Sequence, residues 1–264
     1  MPSVRNTTVA VALTGNGAWR YWLLVGLTVL SLPAMFWLDP IPQDPAYHHF
    51  ADQRGWLGIP NWQNVLSNLP FLFVGAAGLA QLRGNAGTRS GFSWGVFFLG
   101  VALTCFGSMY YHWRPDNETL VWDRLPMTMG FMGIFIALLG EYVDPRAERM
   151  LLPALALGAF SVLYWWQVDD LRLYIWVQAV PMLTIVLVLL LFEARYTHRR
   201  FLAYGLACYV LAKLFEFTDH TVFSATGELI GGHALKHLAA ALGAWFICDM
   251  LRRRFPLPDA YPPR

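Results

Sequence analysis

His233 and His237 stand four residues apart in the stretch Gly232-His233-Ala234-Leu235-Lys236-His237-Leu238-Ala239-Ala240. At 3.6 residues per turn they share one helix face, one above the other. A paired imidazole face is how a helix gives two ligands to one zinc ion. A third imidazole, His112, ends one apolar stretch, and a carboxylate, Asp123, begins the next. Three neutral imidazoles leave zinc one open tetrahedral position, the arrangement of a catalytic rather than a structural site. Water bound there has its pKa lowered to roughly 7. A carboxylate beside it can take the proton and return it to the leaving group. Ser108, four residues before His112, shares that helix face, and its hydroxyl could hold the water or donate to an oxyanion. The chemistry these residue types offer is metal-assisted hydrolysis.

The elements that carry them read as membrane helices. Of the 264 residues 56% are hydrophobic and only 14% charged, about half the charge of a soluble domain. Mean hydropathy is +0.42, and twelve Trp with eleven Tyr suit the aromatic belts at a bilayer surface. The expected fold is all-α, a polytopic helix bundle of about eight spans. They fall near residues 19–38, 61–82, 91–112, 121–142, 150–167, 172–193, 201–217 and 230–251, each the length needed to cross a hydrocarbon core. Residues 1–18 read as a flexible lead-in, 19–251 as one helical domain, and 252–264 as a basic tail. The loop at 39–60 holds four prolines and Asp39, Asp44 and Asp52. The net charge of +2 comes with no basic patch interleaved with aromatics, so nucleic acid is not an expected partner. Cys105, Cys208 and Cys248 all lie in apolar stretches and read as packed thiols.

Arginine sets the orientation. With the N-terminus inside, the inner segments hold Arg5, Arg20, Arg83, Arg89, Arg146, Arg149, Arg195, Arg199, Arg200, Arg252, Arg253, Arg254 and Arg264; the outer ones hold only Arg54, Arg114 and Arg172. Both termini are then cytoplasmic, and His112, Asp123, His233 and His237 converge near the outer leaflet. A hydrolytic site at that depth faces the headgroup boundary, where the amide or ester of a lipid lies. Each residue also has a plainer reading. His112 could be an interfacial residue with a wet edge. Asp123 could pair with Arg124, and Ser108 could bond the carbonyl four back. Lys236 points to a different face from the His pair and can pair with Glu216 or Asp219. Lys213 and Glu216 neutralise each other. His48, His49 and His220 read as solvated, and His198 as remote from any chemistry.

Ser108-x-x-x-His112, then Asp123 at the head of the next span, then His233-x-x-x-His237 in the last, resembles the alkaline ceramidase family. That family lies within a superfamily of seven-span membrane hydrolases that includes the progestin and adipoQ receptors. Asn64-Val65-Leu66-Ser67-Asn68-Leu69 is similar to the family's first-span signature. The resemblance covers about residues 60–251 and leaves 19–38 as an added N-terminal helix. It implies zinc held by His112, His233 and His237, with Asp123 and Ser108 contacting the zinc water. It also implies hydrolysis of ceramide to sphingoid base and fatty acid. The acidic segment that binds Ca2+ in eukaryotic members has no matching spacing in 39–60, which leaves calcium regulation open. Short loops and compact termini suggest a bacterial inner-membrane protein. Two alternatives stand beside the lipid amidase. One is a receptor-like relative that binds zinc and lipid with little turnover; the other is a transporter or structural membrane protein whose histidines only pack.

Overall fold

The computed structural model describes residues 18–84 and 90–257. The expected lead-in before residue 18, Arg89 and the tail beyond residue 257 lie outside the described residues. The rest is an all-α polytopic bundle. In chain order its helices are α1 (Ala18–Ala34), α2 (Trp62–Leu66), α3 (Leu69–Gly84), α4 (Gly91–Trp113), α5 (Asn117–Leu138) and α6 (Leu151–Val168). They are followed by α7 (Arg172–Leu191), α8 (Arg200–Phe217), α9 (Asp219–Ala225) and α10 (Gly232–Arg253). Seven helical stretches are long and apolar enough to cross a membrane, and α8 with α9 makes an eighth if counted as one span bent by 81°. That bend is where the sequence reading had a single seventh span stop.

Local chemistry sets the boundaries that matter for the site. Pro70 has no N–H to continue a helix out of α2, so the second span breaks at Ser67-Asn68 and restarts as α3. At the start of α5, Asp116 Oδ1 accepts from Thr119 N at 2.7 Å while Thr119 Oγ1 accepts from Asp116 N at 3.2 Å, a reciprocal cap. Burial alone would push the Asp116 carboxyl up; the Thr119 hydrogen bonds and the Arg114 charge outweigh it and hold the carboxyl below its ordinary value. Between α6 and α7, Arg172 is buried rather than displayed in a loop, with Nη2 2.7 Å from Asp170 Oδ2. Its Nη1 donates to the Leu38 carbonyl, which ties the end of α1 to this turn. Burial opposes ionisation of Asp170, but the Arg172 hydrogen bonds prevail and bring its pKa down to about 2.

Helices α4 and α5, which carry Ser108, His112 and Asp123, touch backbone to backbone. A Cβ on Gly107 would lie 2.0 Å from the Trp122 carbonyl oxygen, and one on Gly133 would lie 2.6 Å from Phe97 N. Small residues allow this approach where lipid offers no hydrophobic drive for helices to associate. Gly107→Ala is therefore expected to wedge α4 from α5 and to cost about 1–3 kcal/mol, read as a fall in the thermal midpoint of detergent-purified protein. Gly95→Ala is the control, because its Cβ would meet only Leu82 Cδ1 at 4.0 Å. A Gly107→Ala midpoint no lower than that of Gly95→Ala would refute the wedge.

The core falls into three clusters, one of them around Met132, Ile136, Leu151 and Val177 where α5, α6 and α7 meet. Trp94, Phe98, Leu138, Val188, Leu202 and Met250 pack at the end away from the histidines. There Glu141 accepts from Trp94 Nε1 at 2.8 Å and from Arg254 Nη2 at 2.5 Å, anchoring the chain just past α10. Phe50, Tyr111, Leu120, Trp165 and Tyr174 pack at the histidine end. Helix α1 sits at the periphery, with only Leu24 buried, and α3, α4, α5, α7, α8 and α10 line the cavity described below.

Candidate metal centre

His112 comes from the last turn of α4; His233 and His237 come from the first two turns of α10. The three rings meet with pairwise centroid separations of 4.9 Å. One ligand nitrogen from each lies within 4.8 Å of the others, and all three side chains are buried. Among the described residues this is the one group of three or more His, Cys, Asp or Glu whose ligand atoms converge.

The hydrogen bonding fits a metal. Neither Nδ1 nor Nε2 of His112 has a partner, although both are buried. Leaving such atoms unsatisfied costs on the order of 1–3 kcal/mol each, and a metal ion would take up one lone pair. His237 Nδ1 lies 2.7 Å from Ser67 Oγ, which is itself 3.2 Å from the Asn64 carbonyl. If Ser67 donates its proton to that carbonyl, it accepts from His237 Nδ1–H. That assignment leaves Nε2 with its lone pair toward the cluster, the usual way a neighbouring group fixes a ligand tautomer.

Loop and helix ends hold the rings in place. The bend between α8 and α9 brings Asp219 under the start of α10, where Oδ1 accepts from His233 N at 2.8 Å. Its other oxygen accepts from Ala51 N at 2.8 Å. The neighbouring Phe50 is thereby set against His233 and His112, at centroid distances of 4.4 and 4.7 Å. Asn61 Nδ2 donates to the His112 carbonyl at 2.9 Å, closing the C-terminal end of α4.

Ser108 and Asp123 interact with each other and line a cavity of about 170 Å³ together with Lys236 and His237. Beyond this polar end the walls are mainly apolar, including Phe97, Ile134, Ile185 and Ile247. Ile247 is ten residues past His237 on α10, so the slot runs about 15 Å along the helix at 1.5 Å per residue. Of the three histidines, His237 lines its polar end.

The residues singled out from the sequence are thus brought together: His112, His233 and His237 as a cluster, Ser108 and Asp123 on the wall beside it. Arg124 does not pair with Asp123. It donates to Gln43 Oε1 at 2.7 Å and stacks over Trp165. Lys236 corrects the sequence reading. It pairs with Glu216 at 2.8 Å, but its Nζ also lies 3.1 Å from His233 Nε2. Residues three apart share a helix face, and the long stem bends back onto that face. Lys213 meets Glu216 at 2.7 Å, as expected. His48 bonds Tyr111 and Asn117, and His220 bonds the His49 carbonyl; neither joins the cluster. Asp44 caps a short turn and Asp52 is gripped by Arg54 at 2.7 Å, so both carboxylates already have protein partners.

Ser67, Phe50 and Asp219 were not singled out as part of the site. For Ser67 a signal existed: it lies in the Asn64-Val65-Leu66-Ser67-Asn68-Leu69 stretch already marked in the sequence, and it forms the C-cap of α2.

Fold and site together define an all-α membrane-helix bundle with a buried three-histidine cluster able to hold a metal ion at the polar end of an apolar cavity. No family profile matches the chain, and no curated protein matches it.

Proposed function

We propose that the chain is a zinc-dependent lipid amide hydrolase, acting on ceramide or a ceramide-like N-acyl lipid to release fatty acid and an amine. The observation that supports this reading most is the buried, partnerless His112 ring, packed against His237 at the polar end of an apolar slot that Ser108 and Asp123 also line. His112, His233 and His237 would hold the zinc. When bound, zinc supplies Lewis acidity and makes water acidic enough to ionise near neutral pH.

The chain's own residues do the rest. The slot takes the acyl chain and excludes bulk water. The Ser108 hydroxyl is placed to donate to the carbonyl oxygen as charge develops on it. Asp123 takes the proton of the attacking water and delivers it to the amine nitrogen as the C–N bond breaks. The excess of arginine on one side favours cytoplasmic termini and a site near the outer leaflet.

The test uses detergent-purified protein of measured zinc content and an N-acylsphingosine labelled in its acyl chain. The expected result is release of labelled fatty acid, stopped by a chelator and restored by zinc. Tight lipid binding without release would replace the hydrolase with a receptor-like protein. Absence of metal after careful reloading would leave the histidines as packing groups.

A further inference from the structure

Three helices each run from the polar end of the cavity to the same far end. The lining residues go from Ser108 to Phe97 on α4, from Asp123 to Ile134 on α5, and from His237 to Ile247 on α10. These arms are eleven, eleven and ten residues long, so at 1.5 Å per residue each spans about 15–17 Å. Between its two ends α10 turns only Ala240, Gly243 and Ala244 toward the slot, and Ile247 is the first bulky apolar side chain it places there.

The far end is closed. Phe97, Ile134, Ile185 and Ile247 are 8%, 4%, 2% and 3% exposed. All four belong to the buried cluster that also holds Trp94, Leu138 and Val188, each 0% exposed. Met127, Phe131 and Met182 on the side walls are by contrast only half-buried. An interior packed this closely resists an extra methylene. A chain that just reaches the floor fills the slot. A longer one must push the floor aside or leave its carbonyl short of the histidines. Membrane lipid is as apolar as the slot, so the extra methylenes gain nothing on entry that would offset this strain.

We propose, building on the lipid amidase reading, that Phe97, Ile134, Ile185 and Ile247 form a floor that sets the length of the acyl chain. An extended chain advances about 1.25 Å per carbon, the projection of a C–C bond of about 1.52 Å, so the slot takes about 12–14 carbons counted from the carbonyl. The substrates selected are N-acyl lipids with acyl chains of that length, over those with longer ones. The chain carried by the amine stays outside the slot and is not gauged by it.

The test is a binding titration of zinc-quantified protein with N-acylsphingosines whose saturated acyl chains run from about 8 to 20 carbons, a range that brackets the slot. Fatty acid release is followed in parallel. Affinity is expected to be highest near about 12–14 carbons. It should fall at least about tenfold for chains about four carbons longer, the penalty of overpacking. Ala244 lies three residues, or about 4.5 Å, nearer the histidines than Ile247. Ala244→Leu should therefore move the maximum down by about three or four carbons, and Ile247→Ala should move it up by about two or three. Each comparison is between chain lengths on one protein, so any fraction lost to misfolding cancels. The proposal would be overturned by the absence of a maximum, by one that neither variant moves, or by one that follows the sphingoid chain when the acyl chain is held constant. A maximum that shifts as expected with no fatty acid released refutes hydrolysis and leaves the floor standing. Release from every chain length at equal affinity does the reverse.

Discussion

His112→Ala is expected to take bound zinc from about one ion per chain to almost none and to abolish hydrolysis. His112 is the only member of the cluster that α4 contributes, and it alone has no other partner for either ring nitrogen. Without it, His233 and His237 remain a two-ligand pair already engaged by Lys236 and Ser67. The loss should appear in stability as well. A ligand bound only by the folded state stabilises it by about 4 kcal/mol at a thousand times its dissociation constant. Zinc should therefore raise the thermal midpoint of the wild type and leave that of His112→Ala unmoved. His112→Phe separates metal loss from cavity formation. An apolar ring of similar shape removes two unsatisfied nitrogens, a change that is nearly neutral or stabilising. Metal-free His112→Phe should thus melt no lower than metal-free wild type. One zinc per chain retained in His112→Ala would sink the assignment of the ligand set.

The parts of this site visible in the sequence are those fixed by period and depth. His233 and His237 share a face because the helix repeat puts residues four apart together. His112 and Asp123 share their level because one ends a helix and the other lies near the start of the next. The less visible parts depend on side-chain reach and on loops. Phe50 rests on His233, 183 positions later in the chain, and no periodic pattern links a proline-rich loop to a helix so distant. Asp219 reaches His233 N only because the chain bends by 81° after α8. A hydropathy reading sees only an apolar run stopping there. Lys236 was misplaced because only the i, i+4 pairing of the histidines was weighed, whereas residues three apart are also helix neighbours and the long stem carries the ammonium to His233. Ser67 was the recoverable case, since it lies in the Asn64-Val65-Leu66-Ser67-Asn68-Leu69 stretch that the sequence had already marked.

Asp123→Asn should separate proton transfer from metal binding. Asp123 lies on the cavity wall with Ser108 rather than within the three-ring cluster. Arg124 next to it is held elsewhere, by Gln43 and Trp165. The asparagine keeps the shape and one acceptor oxygen but cannot take the proton of an attacking water. Zinc content and the zinc-dependent rise in thermal midpoint should therefore match wild type. Hydrolysis should fall by about 10²–10⁴, the usual contribution of a positioned general base. Ser108→Ala should fall less, because the hydroxyl donates one hydrogen bond and carries no proton between atoms. The pair of measurements makes the assignment exposed to error from two sides. Zinc lost along with activity would make Asp123 a ligand or a support for one. Activity within tenfold of wild type would place the base elsewhere, and Asp123 would become a wall residue beside a metal that acts without it.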